Sequence, residues 1–350
     1  MKAVVIEDNK RIVYKDIPTP EPGAGQVRIK VAVCGICGSD IPRVFNNGAH
    51  RYPIVLGHEF SGVIDAVGDG VSALHKGDHA VAAPLVPCGK CTECLRGNYA
   101  LCSQYSFIGS RQPGGMAEYV VVPAKNVVKI PASIPFEQAA TIEPATVAVH
   151  ALKQAKFGAG KSIAVLGCGI IGLYTIAWAK WMGAASVTAI SRGKAGLEVA
   201  KRMGANMAVS TAGCAVDEVP KELEGSKFDH VLECSGADVT IHLALRLVAN
   251  KGCVCLVGTP KKELTFSVPV WEKINRKECW ITGSWMSYSE PFPGEEWKMA
   301  VSAMEGGTLR FDKGTVAGIY PMFQAAEAFE AIYGGQAKGR VLLRNLITNT

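Results

Sequence analysis

The strongest constraint on the fold is the stretch from Ser162 to Met182. A short apolar run, Ser162 to Leu166, meets a turn carrying Gly167, Gly169 and Gly172, and the apolar, helix-forming run Ile171 to Met182 comes next. A strand that stops at a glycine turn and restarts as a helix can place its backbone amides and the helix N-terminus around a pyrophosphate. Val165-Leu166-Gly167-Cys168-Gly169-Ile170-Ile171-Gly172 has the spacing G-x-G-x-x-G, which in this context marks a dinucleotide crevice. Gly167, Gly169, Ile170, Ile171 and Gly172 are therefore the expected cofactor-binding residues. A glycine-rich turn that holds nothing is the alternative, and the strand and helix on either side argue against it.

The same alternation continues down the chain. Ser186 to Ile190, His230 to Cys234 and Val254 to Val257 read as strands, with Ala195 to Met203 and Ile241 to Val248 as helices between them. Short buried strands alternating with amphipathic helices predict a parallel sheet with helical crossovers. About twenty residues beyond the glycines, a carboxylate that would hold the adenosine ribose is expected. Ser191-Arg192-Gly193-Lys194 stands there instead. Ser191 can donate to a 2′-phosphate and Arg192 can pair with it, so these two residues extend the cofactor-binding set and lean the choice between NAD and NADP toward NADP. The opposing reading leaves Arg192 and Lys194 as solvated loop charges on an NAD enzyme.

The N-terminal part has a different texture. Val27 to Val33 mostly alternates apolar and polar residues, the period of a half-buried strand. Pro18, Pro20, Pro22, Gly23 and Gly25 precede it, and Gly68, Gly70, Pro84 and Pro87 interrupt the residues beyond it, a pattern of short strands that predicts a barrel-like β domain. From about Glu137 the residues turn to helix formers. With 350 residues, 48% of them hydrophobic, two domains are expected.

Four of the twelve cysteines, Cys88, Cys91, Cys94 and Cys102, fall within one turn-rich segment. That spacing lets a single loop wrap a tetrahedral Zn²⁺ with four thiolates, which fills every position and makes the ion structural. Cys34, Cys168, Cys214, Cys234, Cys253, Cys255 and Cys279 lie among apolar neighbours and read as ordinary buried thiols. A second, dispersed set comprises Cys37 with Ser39 and Asp40, His58 with Glu59, and Glu143 before Pro144. Cys37 and His58 supply a thiolate and an imidazole, and Glu59 or Glu143 can complete a zinc site that keeps one position open to polarise a substrate oxygen. Asp40 is a candidate to orient the imidazole. Taken singly these residues have plainer readings: a His-Glu pair in a loop is commonly solvated, and Glu143 suits the first turn of a helix.

The formal charge of +6 is scattered rather than gathered into a stripe, so nucleic acid is a poor partner. No basic segment joined to an apolar run opens the chain, and no apolar run is long enough to span a bilayer, which predicts a cytoplasmic protein with no membrane partner.

Together, these residues resemble the medium-chain, zinc-containing alcohol and polyol dehydrogenases. The likeness runs from Cys37-Gly38-Ser39-Asp40 through Gly57-His58-Glu59-Phe60-Ser61-Gly62, the cysteine loop, Ile142-Glu143-Pro144 and the glycine fingerprint to Gly339-Arg340-Val341-Leu342-Leu343. It implies an α/β chain in which a GroES-like β-rich catalytic domain, residues 1–145 and 285–350, flanks a Rossmann domain of doubly wound parallel sheet, residues 146–284. It implies two zinc ions per chain, one catalytic and one structural, a small polyol or polyol-phosphate substrate oxidised at a secondary alcohol, NAD with an acid at position 191, and a homodimer or homotetramer. Ser191 departs from that pattern. Glu143 takes the place of the second zinc-binding cysteine of the alcohol branch, as in the polyol branch, which leaves Glu59 and Glu143 both open as the direct ligand. Ser39, Asp40 and Glu59 are the expected catalytic residues, with Ser39 passing the substrate proton toward solvent. Arg43, His50, Arg51 and Arg111 are candidates by residue type for a substrate phosphate. A sorbitol-, xylitol- or threonine-type dehydrogenase and an NADP-preferring ketose-phosphate reductase are alternatives in the same family. A zinc-free quinone or enone reductase and a non-catalytic zinc-containing binding protein are the rivals outside that chemistry.

Overall fold

The computed structural model describes residues 1–216, 218–309, 313–337 and 339–345. They divide into two compact units: Met1–Glu143, Tyr288–Gly307 and Val316–Thr350 form the first, Pro144–Ser287 and Thr308–Thr315 the second.

The first unit is built on the strand Gln26–Ile36. It pairs antiparallel with Glu59–Val67, Tyr119–Pro123 and Arg340–Arg344. Its burial alternates over the first half and becomes continuous toward Ile36. Register shifts at Arg28/Ile29 and Val31/Val33 bend it so that it can hold this many neighbours. His79–Ala82 and Val127–Lys129 extend the sheet on one side and Val316–Pro321, parallel to Arg340–Arg344, on the other. A smaller sheet pairs Lys2–Asp8 with Arg11–Asp16 and Ile54–Val55. Val4, Ile6, Ile29, Val31, Leu56, Phe60 and Ile64 lie in one buried cluster with Val341 and Leu343 from the far end of the chain. Asn345 locks that end, its amide donating to the carbonyls of Val31 and Ala117 at 2.8 and 2.9 Å.

The second unit is a six-stranded, all-parallel sheet in the order Met207–Ser210, Ser186–Ser191, Ser162–Leu166, Phe228–Glu233, Val248–Leu256, Trp280–Gly283. Its helices include Ile170–Trp181, Lys194–Arg202, Asp238–Leu247 and Val268–Lys277. This is the doubly wound arrangement whose strand order reverses beside the first strand, where the crevice for a dinucleotide lies. Two expectations are corrected. The helix begins at Asp238 and stops at Leu247, three residues before the predicted start and one before the predicted end. The strand predicted from Val254 begins at Val248, because Asn250 and Lys251, the latter at φ 59°, break the apolar run without ending the strand. The short strands Met207–Ser210 and Trp280–Gly283 are visible only in the structure.

All twelve cysteines are free thiols. Cys34, Cys253, Cys255 and Cys279 are buried as expected, whereas Cys168, Cys214 and Cys234 are only partly so. Among the described residues, no helix is long and apolar enough to cross a membrane.

Candidate active site

The central strand of the first unit ends at Ile36, so Cys37 is the first residue beyond a rigid sheet. Glu59 opens the neighbouring strand opposite Gly35, and His58 directly precedes it. Sheet pairing alone thus brings two distant segments together. Cys37 Sγ, one His58 ring nitrogen and one Glu59 oxygen all lie within 4.8 Å of one another. His58 and Glu59 are buried, and His58 Nδ1 has no hydrogen-bond partner. A buried imidazole, a thiol and a carboxyl gathered this closely fit a zinc ion. His58 Nε2 lies 3.8 Å from Glu59 Oε1, and Phe107 meets the imidazole ring edge-on.

Glu143 stands beside this group in the first turn of the helix Ile142–Gln154. Burial pushes its carboxyl up to about 7, with His58 opposing and Cys37 and Asp40 reinforcing the rise. Asp40 is fully buried and its carboxyl is also pushed up, burial again being the main cause. It accepts from the Cys37 backbone N–H at 3.1 Å and from Arg43 Nη1 at 3.2 Å. Its distance to His58 Nδ1 is 3.8 Å, beyond a hydrogen bond. Ser39 donates to Cys37 Sγ at 3.3 Å and accepts from Arg43 Nη1 at 2.7 Å, with its side chain open to solvent. Arg340 is a site residue that sequence reasoning did not single out. Buried at the start of Arg340–Arg344, it forms an ion pair with Glu59 and donates to the Ile36 carbonyl at 3.0 Å. The glycine at position 35 makes room for it, since a Cβ there would come within 2.9 Å of both partners. The signal available in the sequence was a single arginine opening the apolar run Val341-Leu342-Leu343.

The cysteine loop closes as its spacing requires. Cys88, Cys91, Cys94 and Cys102 present their sulfurs within 4.8 Å of one another, with Cys88 and Cys94 4.0 Å apart. Four sulfurs about 2.3 Å from one ion would be roughly 3.8 Å apart, so the cluster fits zinc. Backbone amides point at the sulfurs: Cys91 N–H to Cys88 Sγ and Cys88 N–H to Cys102 Sγ, each 3.4 Å. Such donors favour thiolates, and the Cys94 amide is the main cause that brings the Cys91 thiol down to about 6. Tyr99, which donates to Glu290 and meets Phe292 edge-on at 5.2 Å, pins the loop to the rest of the unit.

In the second unit Gly167 adopts φ 102°, and a Cβ on Gly172 would fall 1.8 Å from the Gly167 carbonyl oxygen, so the turn and the helix it opens need glycine at both places. The helix Ile170–Trp181 starts at Gly169 with no side chain capping its amides. That leaves first-turn N–H groups for an anion and fits a pyrophosphate. Ser191 ends its strand within hydrogen-bond reach of Cys168, whose thiol is pushed up to about 11, mainly by burial. Arg192 is exposed.

Of the four candidates for a substrate phosphate, three share a neighbourhood. The His50 imidazole is pulled down first by burial and then by the charges of Arg111 and Arg43. Arg111 lies over the Tyr105 ring at 4.5 Å. Arg51 is exposed and is not among the charges that act on His50.

The family model described as the alcohol dehydrogenase GroES-like domain matches residues 23–132, and that described as zinc-binding dehydrogenase matches residues 171–305. The chain belongs to the zinc-binding, medium-chain polyol dehydrogenases: an NAD(P)-dependent enzyme with a GroES-like β domain and a Rossmann domain. Within that family it is 44% identical over 302 residues to galactitol 1-phosphate 5-dehydrogenase of Escherichia coli, an alignment covering 86% of this chain and 87% of that one. It is 34% identical to sorbitol dehydrogenase of Halalkalibacterium halodurans, over 96% of this chain and 97% of that one. The crystal structure of galactitol-1-phosphate dehydrogenase from Escherichia coli superimposes with a TM-score of 0.93 at 41% identity, covering 98% of this chain and all of that one. The expectation of an enzyme therefore holds against the non-catalytic binding protein.

Proposed function

We propose that this chain oxidises a secondary alcohol of a polyol phosphate of the galactitol-1-phosphate kind to the ketose phosphate, with zinc and NAD(P). The observation that carries the reading is the closure of Cys37, half-buried, with His58 and Glu59, both buried, into one set of donors. The likeness to galactitol 1-phosphate 5-dehydrogenase supports the phosphorylated substrate.

Cys37 and His58 would hold the catalytic ion. Glu143 is the better candidate for the third ligand, since Glu59 is engaged by Arg340 and is suited to steady the site from behind. Zinc there would supply a Lewis acid, and a nicotinamide dinucleotide on Gly167, Gly169, Ile170, Ile171 and Gly172 a hydride acceptor. The oxidation removes a hydride from the carbinol carbon and a proton from its oxygen, and Ser39 would relay that proton, its Oγ accepting it as the hydroxyl's own proton passes on to solvent. Arg43, donating to Ser39 Oγ at 2.7 Å, would orient the hydroxyl, and the exposure of Ser39 would open a path to solvent. Ser39→Ala lowers turnover well before it lowers cofactor affinity in this scheme, and unchanged turnover would remove the relay. Arg43, His50 and Arg111 would receive the substrate phosphate, with Arg51 a lesser candidate. Cys88, Cys91, Cys94 and Cys102 would hold the second, structural zinc.

Ser191 and Arg192 favour NADP, and Ser191→Asp should turn the preference toward NAD by about tenfold or more, an acid there repelling the 2′-phosphate. Two or four copies would assemble, in the cytoplasm. The deciding measurement is nicotinamide absorbance with each cofactor against free and phosphorylated hexitols and pentitols. Faster oxidation of the phosphorylated hexitols, lost on chelation, supports the reading; equal rates with and without phosphate, or no polyol oxidised, overturn it.

A further inference from the structure

Glu233 closes the strand Phe228–Glu233, and its side chain is fully buried in the second unit. Nothing in the chemistry above uses it, yet both of its oxygens accept hydrogen bonds. Oε1 is met by the Ser235 N–H at 2.9 Å, the Ser235 hydroxyl at 2.7 Å, the Gly236 N–H at 3.0 Å and, at 2.8 Å, the Thr240 hydroxyl, whose proton is shared with the Ala237 carbonyl. Oε2 shares the Gly236 N–H at 3.0 Å. The Glu233 main-chain carbonyl accepts from the N–H groups of Val257 and Gly258 at 2.8 and 2.9 Å, the turn after the next strand. One residue therefore ties its own strand end, the helix Asp238–Leu247 and the neighbouring strand end together.

The place of this knot in the sheet gives it meaning. The strand order reverses between Ser162–Leu166 and Phe228–Glu233, and the crevice at such a reversal opens at the carboxyl ends of those two strands. Gly167 leads out of one strand and Ser235 out of the other. They nearly touch: a Cβ on Gly167 would fall 2.9 Å from Ser235 Cβ. The Cys234 N–H donates to the Leu166 carbonyl at 2.8 Å, which fixes the two turns in register. The turn Cys234 to Gly236 is thus the wall facing the glycine fingerprint, and Glu233 sets its shape from beneath.

We propose that Glu233 is a positioning residue for the nicotinamide dinucleotide: by holding the Ser235–Gly236 turn in place before the ligand arrives, it shapes the crevice opposite the glycine fingerprint. The inference rests on the reading that this crevice takes NAD(P). A buried carboxylate surrounded by donors is an acceptor and nothing else, so an amide at this place loses charge-assisted strength and turns one acceptor into a donor facing the Gly236 N–H. The turn is then free to move, and binding must order it.

The test compares Glu233→Gln and Thr240→Val, which removes one donor at constant shape, with the wild-type zinc-loaded chain. Dissociation constants for NADH and NADPH come from the fluorescence of the reduced dinucleotide, and amide hydrogen exchange is read at Ser235 and Gly236 without ligand. Glu233→Gln is expected to weaken the preferred dinucleotide about tenfold and Thr240→Val about threefold. Faster exchange at both amides is expected as well, at unchanged zinc content. A residue that only stabilises the fold would lower the melting temperature and leave both constants as they were, and that outcome overturns the proposal. If Glu233→Gln does not fold, Thr240→Val decides alone. A wild-type chain that binds neither dinucleotide overturns the cofactor reading and this inference with it, whereas tight wild-type binding with unaffected variants overturns this inference only.

Discussion

Cys37 is aimed by the sheet that ends one residue before it, and His58 by the strand that begins one residue after it. Replacing either with alanine should lower turnover by more than about a thousandfold, since the proposed catalytic ion would lose a ligand. Zinc analysis should then show one equivalent lost and the cysteine-loop equivalent retained; full activity in Cys37→Ala would end the account of this site. Glu143 carries a consequence for pH. Its carboxyl stands at about 7 against an ordinary 4.5, burial being the main cause. Between those values the metal-free folded chain keeps a proton that the unfolded chain has lost. The stability this group contributes is therefore full below 4.5 and is lost as pH rises through about 7. The melting temperature of the zinc-stripped chain should fall over that window, and Glu143→Gln, uncharged throughout, should flatten the fall; an identical slope in the variant would contradict the assignment.

At the scale of elements, legibility followed burial. Ser162–Leu166 is covered on both faces, so its apolar run announces a strand in the sequence itself. Trp280–Gly283 is largely exposed and Met207–Ser210 partly so, and at four residues each is too short to show a period. The site was legible in residue types and spacing but not in its pairings. The carboxylate that meets Arg340 is far away in the chain, and only the sheet register of Gly35 opposite Glu59 shows why the two meet. The cysteine loop was legible outright because its four ligands are local. Little else orders it: its one α-helical segment is the four-residue Thr92–Leu95, and Leu95 and Leu101 are exposed. The zinc proposed for it would therefore supply much of its stability. Cys94→Ser should cost about 3 kcal/mol, roughly 6–12 °C in melting temperature for a unit of this size. Calorimetry with zinc analysis would check this, and a wild-type midpoint at half the zinc content would refute it.

Over the whole molecule, the first unit is made from both ends of the chain. Arg340–Arg344 fills the edge of Gln26–Ile36 and brings Arg340 to Glu59. A chain ending before Arg340 should open one edge of Gln26–Ile36, leave Val316–Pro321 without a partner, lose zinc at Cys37 and His58 and aggregate, while the second unit, whose sheet draws on none of these residues, keeps its parallel sheet. Dinucleotide fluorescence titration of the truncated chain would register the surviving half; loss of both units together would show that they do not fold separately.

The outermost strand of the second unit, Trp280–Gly283, has a neighbour on one side only among the described residues, and Trp280, Ile281 and the nearby Trp271 and Trp285 are exposed. Such a rim leaves amides and indoles to water that another copy of the same rim could shelter. If like meets like there, dilution would act as a mild denaturant: the midpoint of melting would climb with protein concentration, and a lysine at position 281 would erase that dependence.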